Sequence, residues 1–181
     1  VAKAHKAHIM VAVLGEEEKL LERGKLFTKA MAVCCKQKYA TGVYTSGVVF
    51  EPRFYEGLAD MLKEDELPIF NWVWFGLYRS EGGLNGYTYG MDVFGKEEME
   101  VLNTDAEPEE LRDFLASLAS YVLACDVTLQ DGETIGFSAD DKHTITRSPG
   151  VSLPEEQMTL KIGYEPIKGD PEDDSCDHSD N

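Results

Sequence analysis

Residues 67–78 read Leu-Pro-Ile-Phe-Asn-Trp-Val-Trp-Phe-Gly-Leu-Tyr, and after a glycine-rich turn residues 87–95 read Tyr-Thr-Tyr-Gly-Met-Asp-Val-Phe-Gly. From Phe70 to Tyr78 almost every residue is apolar or aromatic, and both tryptophans of the protein fall here. In an extended chain Phe70, Trp72, Trp74 and Tyr78 share one face, and Val73, Phe75 and Leu77 share the other. A strand apolar on both faces is covered on both, which places it at the middle of a sheet. Gly82-Gly83 and Asn85-Gly86 are turn signals, and Tyr87, Tyr89 and Met91 alternate on the return. The stretch predicts an antiparallel hairpin at the centre of a sheet.

Upstream, residues 8–14 (His-Ile-Met-Val-Ala-Val-Leu) predict a compact apolar strand ending at Gly15. A helix is expected over 16–38, with Glu16, Glu17 and Glu18 in its first turn, where the helix dipole favours anions. Leu20, Gly24, Phe27, Met31 and Cys34 recur at helical spacing and form its buried face. Gly24 costs up to about 1 kcal/mol relative to Ala, so its place on that face predicts a close approach to the sheet. Residues 41–50 predict a second strand region whose glycines mark a bulge. Pro52 opens a helix buried through Phe54, Leu58, Met61 and Leu62 and stopped by Pro68.

Downstream, residues 96–102 predict a short helix with an acidic first turn, where Glu97, Glu98 and Glu100 are dipole partners. Pro108 opens the longest amphipathic helix, with Leu111, Phe114, Leu115, Leu118, Val122 and Cys125 on its apolar stripe. Residues 134–138 and 143–147 predict paired strands, and Met158, Leu160 and Ile162 alternate on a last one. Residues 1–164 therefore predict a single α+β domain, a largely antiparallel β-sheet with helices packed on it. From Glu165 onward seven acids and one lysine sit among Pro, Gly and Ser, which predicts an acidic disordered tail over 165–181.

The chain has 181 residues, enough for one domain with a real core. Its formal net charge of −17 repels nucleic-acid backbones and anionic lipid, so neither is an expected partner. The same charge suits a basic protein partner. Four cysteines, Cys34, Cys35, Cys125 and Cys176, form no disulfide framework. Cys34 and Cys125 read as small buried hydrophobes. No apolar run spans a membrane and no secretory segment is evident, which points to the cytoplasm. A first residue of Val is expected of a truncated or processed chain.

Chemistry is sparse. His143 stands beside Asp140 and Asp141, as a general base would, but no nucleophile is tied to it. His5 and His8 lack a third ligand, and Cys176 and His178 lack the spacing of a zinc or calcium site. The glycines from Gly82 to Gly90 fit neither a P-loop nor a dinucleotide fingerprint. No metal and no cofactor is therefore expected. Trp72, Trp74, Tyr87 and Tyr89 are the candidates for a binding platform, with His143 beside them.

Several of these segments together resemble a bacterial family, the domain of unknown function 4261. The resemblance is carried by residues 8–15 followed by a helix containing Thr28, and by Trp72 in its aromatic run. It continues in Tyr87-Thr88-Tyr89-Gly90-Met91 leading to Phe94-Gly95 and Glu98, and in the segment 131–137, Asp-Gly-Glu-Thr-Ile-Gly-Phe. It would span residues 8–164. The family carries no agreed activity, so the resemblance implies a small bacterial cytoplasmic protein and transfers no catalytic residue. A place among toxin-immunity or secretion loci is an expectation that the residues do not carry. Two functions follow as expectations. The leading one is an acidic, non-catalytic binding protein or interaction module, such as an immunity-type inhibitor that covers a basic partner. The other is a small hydrolase or ligand-binding enzyme with a pocket at the aromatic hairpin, near Tyr89 and His143. Oligomeric state is not legible.

Overall fold

The computed structural model of the protein describes residues 5–16, 19–136 and 142–165. Its first half holds α1 (Leu20–Cys35), the strands β1 (Val43–Thr45) and β2 (Val48–Phe50), α2 (Pro52–Ala59) and a single helical turn, α3 (Ile69–Trp72). Then follow β3 (Trp74–Ser80), β4 (Gly83–Tyr89), β5 (Met99–Thr104), α4 (Pro108–Ala124), β6 (Thr134–Ile135), β7 (His143–Pro149) and β8 (Met158–Ile162). The strands β3 to β8 form one sheet in the order β3-β4-β5-β8-β7-β6, while β1 and β2 form a separate hairpin. Only β5 and β8 run parallel; the other neighbours are antiparallel. The protein is thus an α+β fold on a largely antiparallel sheet.

The core lies between this sheet and α4. Leu111, Leu115, Leu118 and Ala119 are fully buried on the helix, against Val101, Met99, Ile145, Leu160 and Ile162 from the strands. The apolar stripe read from the sequence is therefore correct, except that Cys125 follows the helix and is exposed. Gly86 marks the closest approach: a Cβ there would sit 2.8 Å from Leu115 and 3.0 Å from Leu111.

The aromatic run 70–78 is not one strand, and its hairpin is not the centre of the sheet. β3 is an edge strand, and β5 and β8 take the middle. The run divides because its apolar residues are buried by two different devices. Ile69 and Trp72 enter the core from a helical turn, and only from Trp74 does the chain join the ladder. Phe75 then faces the core, whereas Trp74 and Tyr78 are 47% and 39% exposed. Asn85-Gly86 is no turn either; Ser80 pairs with Gly83, so the chain reverses at Glu81-Gly82.

Five further expectations are corrected. Residues 8–14 form no strand: no described strand pairs with them, and Ile9, Met10 and Leu14 are 76%, 86% and 90% exposed. The glycines of the second strand region mark no bulge. Ser46 and Gly47, at φ 48° and 74°, form a tight turn between β1 and β2, as two-residue hairpins with positive φ do. On α2 the buried side is Pro52, Tyr55 and Ala59, while Phe54 is 59% exposed. On α1 the buried positions are Thr28 and Cys35 rather than Cys34, and Gly24 makes room for Phe94, whose Cε1 would lie 2.6 Å from a Cβ. Residues 96–102 are not a helix; Met99 to Thr104 is β5, where Met99 and Val101 alternate with Glu100. The expected disordered tail lies, but for Glu165, outside the described residues, as do Asp140 and Asp141.

Candidate functional site

Trp74 and Tyr89 are directly opposed cross-strand partners where β3 begins and β4 ends. Both are about half exposed, at 47% and 48%, and Val93 beyond them is 61% exposed. Here the chain turns sharply. Gly90 has φ 119°, and a Cβ on it would lie 2.5 Å from the Trp72 carbonyl oxygen, so glycine alone fits.

A buried acid fixes this turn. Glu98 is 1% exposed. Its Oε1 accepts from the Gly90 N–H at 2.7 Å and the Asp92 N–H at 3.3 Å, and its Oε2 accepts from the Thr88 hydroxyl at 2.7 Å. Thr88 Oγ1 in turn accepts from the Met99 N–H at 2.8 Å. Burial pushes the Glu98 carboxyl above the ordinary range, the Asp92 charge adds to this, and the hydrogen bonds from Thr88, Gly90 and Asp92 offset it only in part.

Behind the turn lies a cavity of about 470 Å³, with Phe27, Trp72 and Phe94 among its walls and Tyr89 and Val93 beside them. Trp72 is 4% exposed; its Nε1–H donates to Thr28 Oγ1 at 2.7 Å, and its ring centroid is 4.9 Å from that of Phe94. Of the four aromatic candidates, Trp74 and Tyr89 thus form a solvent-facing pair, and Trp72 lines the cavity from inside. Tyr87 lies across Gly76, whose Cβ would meet the ring at 2.2 Å, and lines no described cavity.

His143 is not part of this arrangement. It is 5% exposed on β7, with Nδ1 2.9 Å from the Gly163 carbonyl oxygen. Its ring is 4.8 Å from Phe114 and 5.3 Å from Tyr164, whose hydroxyl donates to Glu110 at 2.7 Å. Tyr89 lines the cavity of about 470 Å³, and His143 is not among its walls.

Two features escaped the sequence reading. Glu100 is fully buried, and its carboxylate accepts from the N–H groups of Val151, Ser152 and Leu153 and from Thr159 Oγ1, all within 3.2 Å. Lys161, its neighbour across the parallel pair β5–β8, reaches it at 2.8 Å. Burial alone would raise this carboxyl; the Lys161, Ser152, Thr159 and Val151 hydrogen bonds outweigh it and hold it below the ordinary range. The signal was available in Met99-Glu100-Val101, where an acid alternates with apolar residues as a strand would place it. The second feature is a cavity of about 390 Å³ between α4 and the sheet, walled by Met99, Val122, Leu129 and Leu160. The Glu97–Arg147 pair also borders it, with Arg147 Nε 2.8 and 2.9 Å from the two carboxylate oxygens. No sequence signal marks that cavity. Among the described residues no group of three or more His, Cys, Asp or Glu is placed to hold a metal ion. No helix among them is long and apolar enough to cross a membrane.

These elements define an α+β protein on a mixed six-stranded sheet, with an aromatic cavity behind the open end of its first hairpin. Residues 87–163 match the family model described as Domain of unknown function (DUF4261), so the resemblance drawn from the sequence holds over that part of the chain. The match runs from β4 to the end of β8 and contains every residue lining the smaller cavity. The motifs at residues 8–15, Thr28 and Trp72 lie ahead of it. Comparison with curated proteins and with solved structures finds no match.

Proposed function

We propose that the chain is a non-catalytic binding protein that docks a basic protein partner on its aromatic, N-terminal surface. One observation carries this reading. Among the described residues, every large apolar side chain left exposed lies at or before Val93, except Tyr121 and Val151. Apolar side chains scattered singly over a surface mean little, but exposed ones that are spatial neighbours mark a contact surface. Trp74, Tyr89 and Val93 lie together on it, and Tyr44, Val49 and Phe54 stand on the hairpin and helix α2 before them. A net charge of −17 supplies attraction for a cationic partner. An immunity-type inhibitor that covers a basic protein is the particular form this reading takes.

The test begins by isolating a partner and measuring its association rate against ionic strength. Electrostatic steering predicts a rate that falls as salt rises from about 0.01 M to 0.15 M, where the screening length shortens from about 30 Å to about 8 Å. Trp74→Ala with Tyr89→Ala should speed dissociation at least tenfold. A salt-independent rate together with an unaffected double variant would overturn the proposal.

A further inference from the structure

We infer that residues 6–16 form a self-complementary edge through which two copies of the chain pair as antiparallel strands about a two-fold axis centred on Val11. Nothing in this pairing depends on the docking of a basic partner. Residues 8–14 carry the apolar pattern of a strand and belong to no ladder. Val11 and Val13 are half-buried while Met10, Ala12 and Leu14 are exposed. That is the period-two burial of an extended chain lying on the body of the protein. Among the described residues, the only hydrogen bond to this backbone is a long one, 3.4 Å, donated by Arg23 Nη2 to the Val13 carbonyl oxygen.

An apolar strand whose N–H and C=O groups are open is a template for another strand. The Arg23 contact marks which edge is free. In an extended chain the polar groups of successive residues point to opposite edges, so opposed residues alternate between hydrogen-bonded and non-hydrogen-bonded pairs. Val13, and with it Ile9 and Val11, turn their groups toward the Arg23 side. His8, Met10, Ala12 and Leu14 turn theirs to the other edge.

The occupant is a second copy because the segment matches its own reverse. With Val11 opposite Val11, Ile9 meets Val13, Met10 meets Ala12, His8 meets Leu14, and Lys6 meets Glu16 at both ends. Met10 with Ala12 and His8 with Leu14 are then the hydrogen-bonded pairs. The half-buried parity stays on one face, as a paired strand requires, and the two opposite-charge contacts set the register. A centre on Ala12 would instead set Gly15 against Ile9 and leave that side chain no neighbour to pack on. From His5 to Gly15 the chain carries Lys6 and no acid. A molecule of net charge −17 therefore meets its own copy here without setting acid against acid.

The experiment follows the monomer–dimer equilibrium of the full chain by sedimentation up to millimolar concentration, with amide exchange and isotope-filtered NOEs on a mixture of labelled and unlabelled chains. The expected result is a dimer in which the Met10 and Ala12 amides are protected and those of Val11 and Val13 exchange fast, with NOEs between the Val11 methyls of the two copies. Lys6→Glu and Glu16→Lys each set like charges opposite one another at both ends and should weaken the dimer about fivefold or more, while the double variant should return it to within about twofold of the native value. Ala12→Pro, at an exposed position, removes an N–H that the second copy accepts from. It should abolish the dimer and leave the melting temperature of the monomer within a few degrees. Raising salt should strengthen the dimer, since two copies of like net charge repel, whereas it slows the docking of a basic partner, so the two readings fail separately. A chain that stays monomeric at millimolar concentration overturns the inference. So does a dimer that survives Ala12→Pro, or a double charge swap that leaves the dimer as weak as the single variants.

Discussion

Two acids two residues apart, Glu98 just before β5 and Glu100 on it, illustrate how much the surroundings of one side chain decide. Glu98 and Glu100 are both buried, yet their carboxyls are displaced in opposite directions. Glu100 has a lysine and a cradle of three successive backbone N–H groups; Glu98 has three neutral donors and no cation. Such a cradle is an anion site in many folds, and here the chain's own carboxylate fills it. The sign of each pH dependence follows. Glu100, lowered on folding, contributes stability that is present above the ordinary glutamate pKa and is lost as pH falls through its folded value. Glu98, raised on folding, contributes stability present below the ordinary value and lost as pH rises through its folded value. Urea unfolding from pH 3 to 8 checks both. Relative to Glu98→Gln, the native protein should lose stability on going from acid toward neutral pH. Glu100→Gln turns an amide toward the three N–H donors and strands Lys161, so it should cost about 3–5 kcal/mol at pH 7. A loss below about 1 kcal/mol would show that the loop at 151–153 does not depend on the carboxylate.

At the scale of elements, α1 and α4 are held very differently. Eight residues of α4 are buried, whereas α1 buries only Thr28 and Cys35. The Thr28–Trp72 hydrogen bond, the close approach of Gly24 to Phe94 and the small cluster of Cys35 with Tyr55 and Val43 are therefore what ties α1 to the rest. Hydrogen exchange should show α1 amides protected much less than α4 amides, since lightly packed elements open first. Trp72→Ala should cost about 3–5 kcal/mol and widen that difference; equal protection of the two helices in the variant would contradict it. The contrast also explains what was legible in the sequence. α4 is read correctly because one helix packs on one sheet, so its apolar period is the period of its burial. The pairing of residues 134–135 with 143–144 is equally local and was anticipated. The run 70–78 misled because burial does not record which element delivers it. A tryptophan on a helical turn and a phenylalanine on a strand are equally apolar in sequence. Residues 8–14 show the reverse case: the apolar pattern of a strand is present, and no edge among the described residues completes it. Of the candidate site, the Trp74–Tyr89 pair was legible as aromatic residues in a hairpin. Phe27 and Phe94 were not, because nothing local distinguishes a ring that walls a cavity from one packed in a core.

At the scale of the molecule, charge is the strongest influence beyond the core. A formal charge of −17 on 181 residues makes the folded state repel itself. Raising sodium chloride from about 0.01 M to 0.15 M should raise the melting temperature, as screening shortens to about 8 Å. A fall over that range would show that attractive pairs such as Arg147–Glu97 and Lys96–Asp126 outweigh the repulsion. Removing residues 166–181, which carry six acids and one lysine, should reduce the salt effect and leave the melting temperature at 0.15 M almost unchanged.

The parallel pairing of β5 with β8 has a consequence for how the chain comes to be folded. These are the middle strands of the sheet, yet Met99 pairs with Leu160, sixty-one positions later. On a ribosome the first hairpin and α4 emerge with one side of β5 still open, and nothing can close it until residue 162 has cleared the exit tunnel. The loop that must be closed is long, so folding waits on a contact that chain entropy opposes. During translation the open edge of β5 is the place where a nascent chain of this protein would stick to its neighbours or engage a chaperone.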